Sequence, residues 1–224
     1  MFISYNEVTQ CALSGKIPWK LAEKGFRKLK YLKSSIELIE RDSSLPYPEV
    51  IVTPLLKILV HESGVEAIVH GHIDFKRGRE GLIIPFVNIS LPFLINAKKH
   101  TYNCVLAHEF LHYLYIAQRV SKADYFTMSQ KIGETMISHM LFDEATKIDP
   151  VKVFKNRYLL GLLAKRYEKL VNEEKFIKSM RENWIEANLL SKFIPETQFI
   201  KTFTISEFLK MSFPKIVLDR LSGI

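Results

Sequence analysis

The stretch Cys104-Val-Leu-Ala-His108-Glu109-Phe-Leu-His112-Tyr-Leu-Tyr-Ile-Ala117 decides how the rest of the chain is read. It holds no proline or glycine and is apolar on nearly every side of a helical wheel, so it predicts a buried α-helix. His108 and His112 stand four residues apart, one above the other on the same helix face. Two neutral imidazoles at that spacing can reach one cation, and zinc takes such nitrogens at about 2.0–2.1 Å. Glu109 projects beside that face, where a carboxylate can accept a proton from water activated by the metal. Buried without partners, these three side chains would each carry a desolvation cost. A metal with a third protein ligand removes it; a set satisfied by hydrogen bonds alone is the alternative.

Upstream, Val65 to Phe75 is β-rich, Lys76 to Gly81 reads as a turn, and Leu82 to Leu91 returns as a second strand, which predicts a hairpin. Pro54 to Glu62 reads as a helix stopping near Gly64. Asp42-Ser-Ser-Leu-Pro-Tyr-Pro48 separates these elements from a basic N-terminal helix. That helix carries Lys16, Lys20, Lys24, Arg27, Lys28, Lys30 and Lys33, with Ala22, Phe26, Leu29, Leu32, Ile36 and Ile39 as an apolar stripe at 3/4 spacing. Downstream, one helix runs from Thr101 to about Val120 and another starts at Ser121 or Lys122. Pro150 opens a long amphipathic stretch to about Met180, and short helices surround Pro195 and Pro214. The expected class is α+β, with a small antiparallel-containing sheet, then the buried helix, then a mostly helical C-terminal half. A single domain over 1–224 is expected, with helical extensions at about 1–45 and about 150–224.

With 224 residues, 47% of them hydrophobic, the chain can bury a large core and is not a disordered protein. Two cysteines exclude a disulfide scaffold and favour a reducing, cytoplasmic setting. The N-terminus has no basic segment followed by a long apolar one, so no signal peptide is expected. Gly81 to Ala97 is uncharged, but Pro85, Asn88, Ser90, Pro92 and Asn96 suit buried strands and a loop rather than a helix in lipid, so a soluble protein without a membrane partner is expected. The net charge of +8 permits an anionic partner. Nucleic acid is therefore possible, although no helix-turn-helix, zinc-finger or aromatic RNA-binding signature is present, and a solvated basic face is the simpler expectation.

Val105-Leu-Ala-His-Glu-Phe-Leu-His-Tyr113 resembles the active-site helix of the zincins, the HExxH zinc metallopeptidases. The resemblance implies a zincin-like fold in which a small sheet precedes this helix and an edge strand holds an extended peptide. It further implies one Zn2+ per chain, His108 and His112 as ligands, Glu109 as general base toward a zinc-activated water, and a peptide or protein substrate. Tyr115 and Gln118 occupy the positions where metzincins need glycine and a third histidine, so the ligand set should be gluzincin-like, with a glutamate from a later helix. Glu134, in Gln130 to Phe142 and on a face with Ile137, Ser138 and Leu141, is the first candidate; Glu144, His139, Glu182 and Glu186 are the others. Ser138 stands where many gluzincins carry an aspartate that orients a histidine ligand.

Cys104 lies one turn before His108, but with both histidines it spans roughly 12 Å of helix rise, too far to share one tetrahedral ion, so an inert thiol is expected. His70 and His72 flank Gly71 and should share one side of the strand as a polar face, with a second metal or a substrate contact as alternatives. Tyr113, His139, Arg157 and Tyr158 are of the right type to stabilise an oxyanion, without one being singled out. The rival to a peptidase is a regulatory or binding module on the same fold, working through the basic helix, with association with DNA as a further alternative.

Overall fold

A computed structural model describes residues 2–60, 62–64, 66–121, 148–165, 173–195, 203 and 205–222. Among them the elements are β1 (Ile3–Ser4), α1 (Asn6–Leu13), α2 (Trp19–Ser43), β2 (Val50–Thr53), β3 (Leu56–Val60), β4 (Glu66–Val69), β5 (Gly71–Arg77) and β6 (Ile83–Ser90). They continue as α3 (Leu91–Asn96), α4 (Lys99–Ser121), α5 (Pro150–Val153), α6 (Arg157–Lys165), α7 (Glu174–Met180), β7 (Ser191–Pro195), α8 (Ile205–Leu209) and α9 (Lys215–Ser222). The architecture is mixed α/β, with two small mixed sheets. The first has the order β1-β2-β6-β5, in which β1, β2 and β6 run parallel and β5 is antiparallel to β6. The second has the order β4-β3-β7, with β3 antiparallel to β4 and parallel to β7.

Side-chain alternation decides what the first sheet covers. Val50 and Val52 on β2 lie opposite Val87 and Ile89 on β6, and Ile89 in turn lies opposite Gly71 on β5. This apolar side meets α4. A Cβ at Gly71 would stand 2.8 Å from Ile89 Cδ1 and 3.4 Å from Val105 Cγ1, so glycine is what lets β5 approach the helix. Every residue of α4 from Thr101 to Ala117 is buried, enclosed by α2, α6, α9 and β5. Among the described residues no helix is long and apolar enough to cross a membrane.

The β5–β6 hairpin forms as the sequence predicts, from Gly71↔Ile89 to Arg77↔Ile83. The first of the two expected strands divides at His70, however, and its early part becomes β4 of the second sheet. The helix expected from Pro54 to Glu62 is instead β3. Its Leu56, Ile58 and Leu59 are buried, and β4 and β7 flank it on both sides, so tertiary pairing outweighs a short helical pattern. The loop expected after β6 is α3, whose first turn holds Pro92 and whose Phe93 N–H donates to Ser90 Oγ at 3.4 Å. The long amphipathic stretch expected from Pro150 to about Met180 is interrupted after Val153. There the Asp42 carboxylate accepts from Lys155 N and Asn156 N, both at 3.1 Å, and Asn156 Oδ1 accepts from Tyr158 N to start α6 afresh. The C-terminal half also contributes a strand, β7. On α2, Phe26 is not part of the buried stripe: it is 65% exposed, and Gly25 is buried in its place.

Candidate metal centre

α4 presents His108 and His112 from successive turns, with their Nε2 atoms 2.8 Å apart and their rings perpendicular at a centroid distance of 4.4 Å. Two imidazole nitrogens this close hold one shared proton or one metal ion between them. Nitrogens at zinc-bond length on a tetrahedral ion are about 3.3 Å apart, so the rings need open by only roughly half an ångström. Burial also fixes their charge. It lowers the His108 pKa to about 4 and holds His112 well below the ordinary value, where the neighbouring His108 adds to the effect. Both rings are therefore neutral at pH 7, the form that donates lone pairs to a metal. His112 Nδ1 has no hydrogen-bond partner among the described residues. The pair fits zinc in donor type, protonation and convergence.

The depressed pKa values give the metal-free protein an acid-sensitive stability. In the unfolded chain His108 binds its proton near pH 6.5, in the folded chain only near pH 4. Over that interval the unfolded state carries more protons, so stability is full above pH 6.5 and falls as the pH drops toward 4. The loss from His108 alone is on the order of 3 kcal/mol. Urea denaturation of metal-free protein at pH 7 and pH 4.5 should show it, with a shallower pH slope in His108→Gln. Equal slopes in the two proteins would mean that His108 takes up its proton as readily in the folded chain as in the unfolded one.

Glu109 is 5% exposed and lies about 60° around the helix from His112. Tyr47 adjoins it. Burial pushes the Tyr47 hydroxyl well above its ordinary pKa, and the negative charge of Glu109 pushes it the same way. Tyr47 Oη donates to Leu106 O at 2.8 Å, and its ring stacks on Phe110 at 5.2 Å. This support for the Glu109 side of α4 is not evident in the sequence, where Pro46-Tyr47-Pro48 reads as punctuation. The signal available was the aromatic between two prolines, a rigid segment able to aim one ring inward.

The remaining candidates are placed as follows. Glu134, His139 and Glu144 lie outside the described residues. Glu182 and Glu186 are exposed; Glu182 pairs with Lys178 at 3.6 Å, and both line a surface groove with Arg181 rather than the histidine pair. Among the described residues no group of three His, Cys, Asp or Glu side chains is assembled. Cys104 is buried, its Sγ 3.5 Å from Leu162 O. His70 packs between Phe93 and Phe176, at centroid distances of 5.5 and 5.2 Å, whereas His72 Nε2 lies 2.9 Å from Lys57 Nζ and 3.7 Å from Asp74 Oδ2. The two imidazoles thus have separate partners. Tyr113 is buried against Phe213, and Arg157 and Tyr158 are exposed. Comparison with known proteins finds no matching family model, curated protein or solved structure, so the chemistry of these residues has to carry the functional conclusion.

Proposed function

We propose that the protein is a zinc-dependent metallopeptidase of zincin type that hydrolyses peptide bonds with Glu109 as general base. The observation that carries this reading is the convergence of His108 Nε2 and His112 Nε2, 2.8 Å apart on a buried helix that keeps both rings neutral. The order of the first sheet adds support. Its last strand among the described residues, β5, is the antiparallel one and packs against α4, where a zincin-like fold would seat an extended substrate. His108 and His112 would hold the metal, with Glu134 as the expected third ligand. Bound zinc would supply a Lewis acid for the scissile carbonyl and for the attacking water. Glu109 would take the proton of that water and pass it to the departing amine, a transfer a carboxylate can make in both directions.

Elemental analysis of purified protein tests the metal site. About one zinc per chain is expected in the wild type, and little or none in His108→Ala and His112→Ala. Loss in Glu134→Ala as well would assign the third ligand; retention there would move it to Glu144 or His139. A wild type that takes up no zinc, or a zinc-loaded protein that cleaves nothing in a broad peptide library, would overturn the proposal.

A further inference from the structure

We infer that the exposed face of α2 binds single-stranded nucleic acid, independently of the chemistry at the histidine pair. The inward side of this helix is spent on the core, where Ala22, Gly25, Leu32, Ile36 and Ile39 are buried. The outward side carries two aromatic rings that the core does not enclose, Trp19 at 51% exposure and Phe26 at 65%, whereas Tyr31 stacks on the buried Tyr102 at 6.5 Å. Between Trp19 and Lys33, about 21 Å of helix, stand six cations and one acid, Glu23. Of the six, Lys20, Lys24, Arg27, Lys30 and Lys33 are exposed. Lys28 and Lys30 place their ammonium groups 5.3 and 5.2 Å from the Tyr31 ring centroid. Tyr5 sets its ring edgewise to Phe26 at 6.1 Å, and Tyr5, Trp19, Phe26 and Arg27 line a groove of about 420 Å³.

The mixture decides the partner. Cations distributed along a face attract a chain of phosphates, and accessible rings between them offer stacking platforms to unpaired bases. A helix that binds a lipid surface separates an apolar face from a charged one. In α2 the apolar face is already used by the core, and the exposed rings are interleaved with the cations. An acidic peptide would satisfy the charges and leave the rings of Trp19 and Phe26 without π-faced partners. A duplex hides its bases, so the rings favour a single strand.

The test is fluorescence anisotropy of the full chain with a fluorescein-labelled thymidine 20-mer. Binding is expected at 50 mM KCl and should weaken about 100-fold at 200 mM if five cations meet phosphates. Trp19→Ala and Phe26→Ala should each weaken it tenfold or more. The double variant Lys24→Gln/Arg27→Gln should flatten the log–log salt slope by about 1.4. The chain has two tryptophans, and Trp184 is 2% exposed, so quenching of intrinsic fluorescence on binding reports stacking on Trp19 and should vanish in Trp19→Phe. Lys210→Gln/Lys215→Gln, away from α2, should bind as the wild type does. Thermal melts of all variants separate lost binding from unfolding; should an aromatic variant unfold, the salt slope of Lys24→Gln/Arg27→Gln decides. No binding at 50 mM KCl, binding unchanged by the α2 variants, or equal binding of the duplex would overturn the inference. So would binding confined to phosphatidylserine vesicles or to a poly-glutamate peptide. None of these results bears on zinc content, so the two proposals fail separately.

Discussion

Glu109→Gln is expected to lower kcat/KM for a peptide substrate by about 10²–10⁴-fold while zinc content stays at the wild-type value. The amide matches the carboxylate in shape and can hold most of the same hydrogen bonds, but it cannot take a proton. The proposed metal donors are the two Nε2 atoms that face each other, and neither belongs to Glu109. The substitution therefore separates proton transfer from metal binding. A fluorogenic substrate drawn from library cleavage, assayed beside elemental analysis, gives both numbers. Activity within tenfold of the wild type would remove Glu109 from the mechanism, and loss of zinc would make it a ligand or a support of one.

Phe110→Ala is expected to cost about 3–5 kcal/mol of folding stability, one of the largest effects available to a single core truncation. The ring has no exposure. It contacts Tyr47 at 5.2 Å, Tyr113 at 6.1 Å and Phe154 at 6.3 Å. One side chain thus joins α4 to the Pro46–Pro48 segment and to the break between α5 and α6. For a chain of this length the melting temperature should fall by about 10 °C. Urea denaturation of the metal-free proteins measures the difference, and Phe110→Leu should recover more than half of it. A cost below about 1 kcal/mol would show that the surrounding rings collapse into the space.

What the sequence reveals of this molecule is what short-range pattern controls. The His108–His112 spacing is fixed within two turns of one helix, and the apolar run around it leaves little choice but burial. The β5–β6 hairpin is legible because its two strands and its turn adjoin in sequence. By contrast, β3 reads as a helix although β4 adjoins it, because β7, the parallel strand on its other side, lies far outside any local window. The break after Val153 is set by Asp42, more than a hundred residues earlier. Phe26 fits a 3/4 stripe as well as Gly25 does. What excludes it is the close approach of Tyr5 and Leu91 to Gly25, where a Cβ would collide with both, and that contact is tertiary. Tyr47 reaches the Glu109 side of α4 for the same kind of reason.

The pairing of Leu56 with Ser191 has a consequence for the nascent chain. All four strands of the first sheet precede Leu91, so that sheet and the helix packed on it can close while much of the chain is still being synthesised. β3 emerges in the same early period, yet its parallel partner is the last strand made among the described residues. Until β7 arrives, the apolar row Leu56, Ile58 and Val60 has one edge without a ladder, a template for pairing with another unfinished chain. The late strand acts as the seal on this edge, and a translation arrest between α7 and β7 would leave that border open.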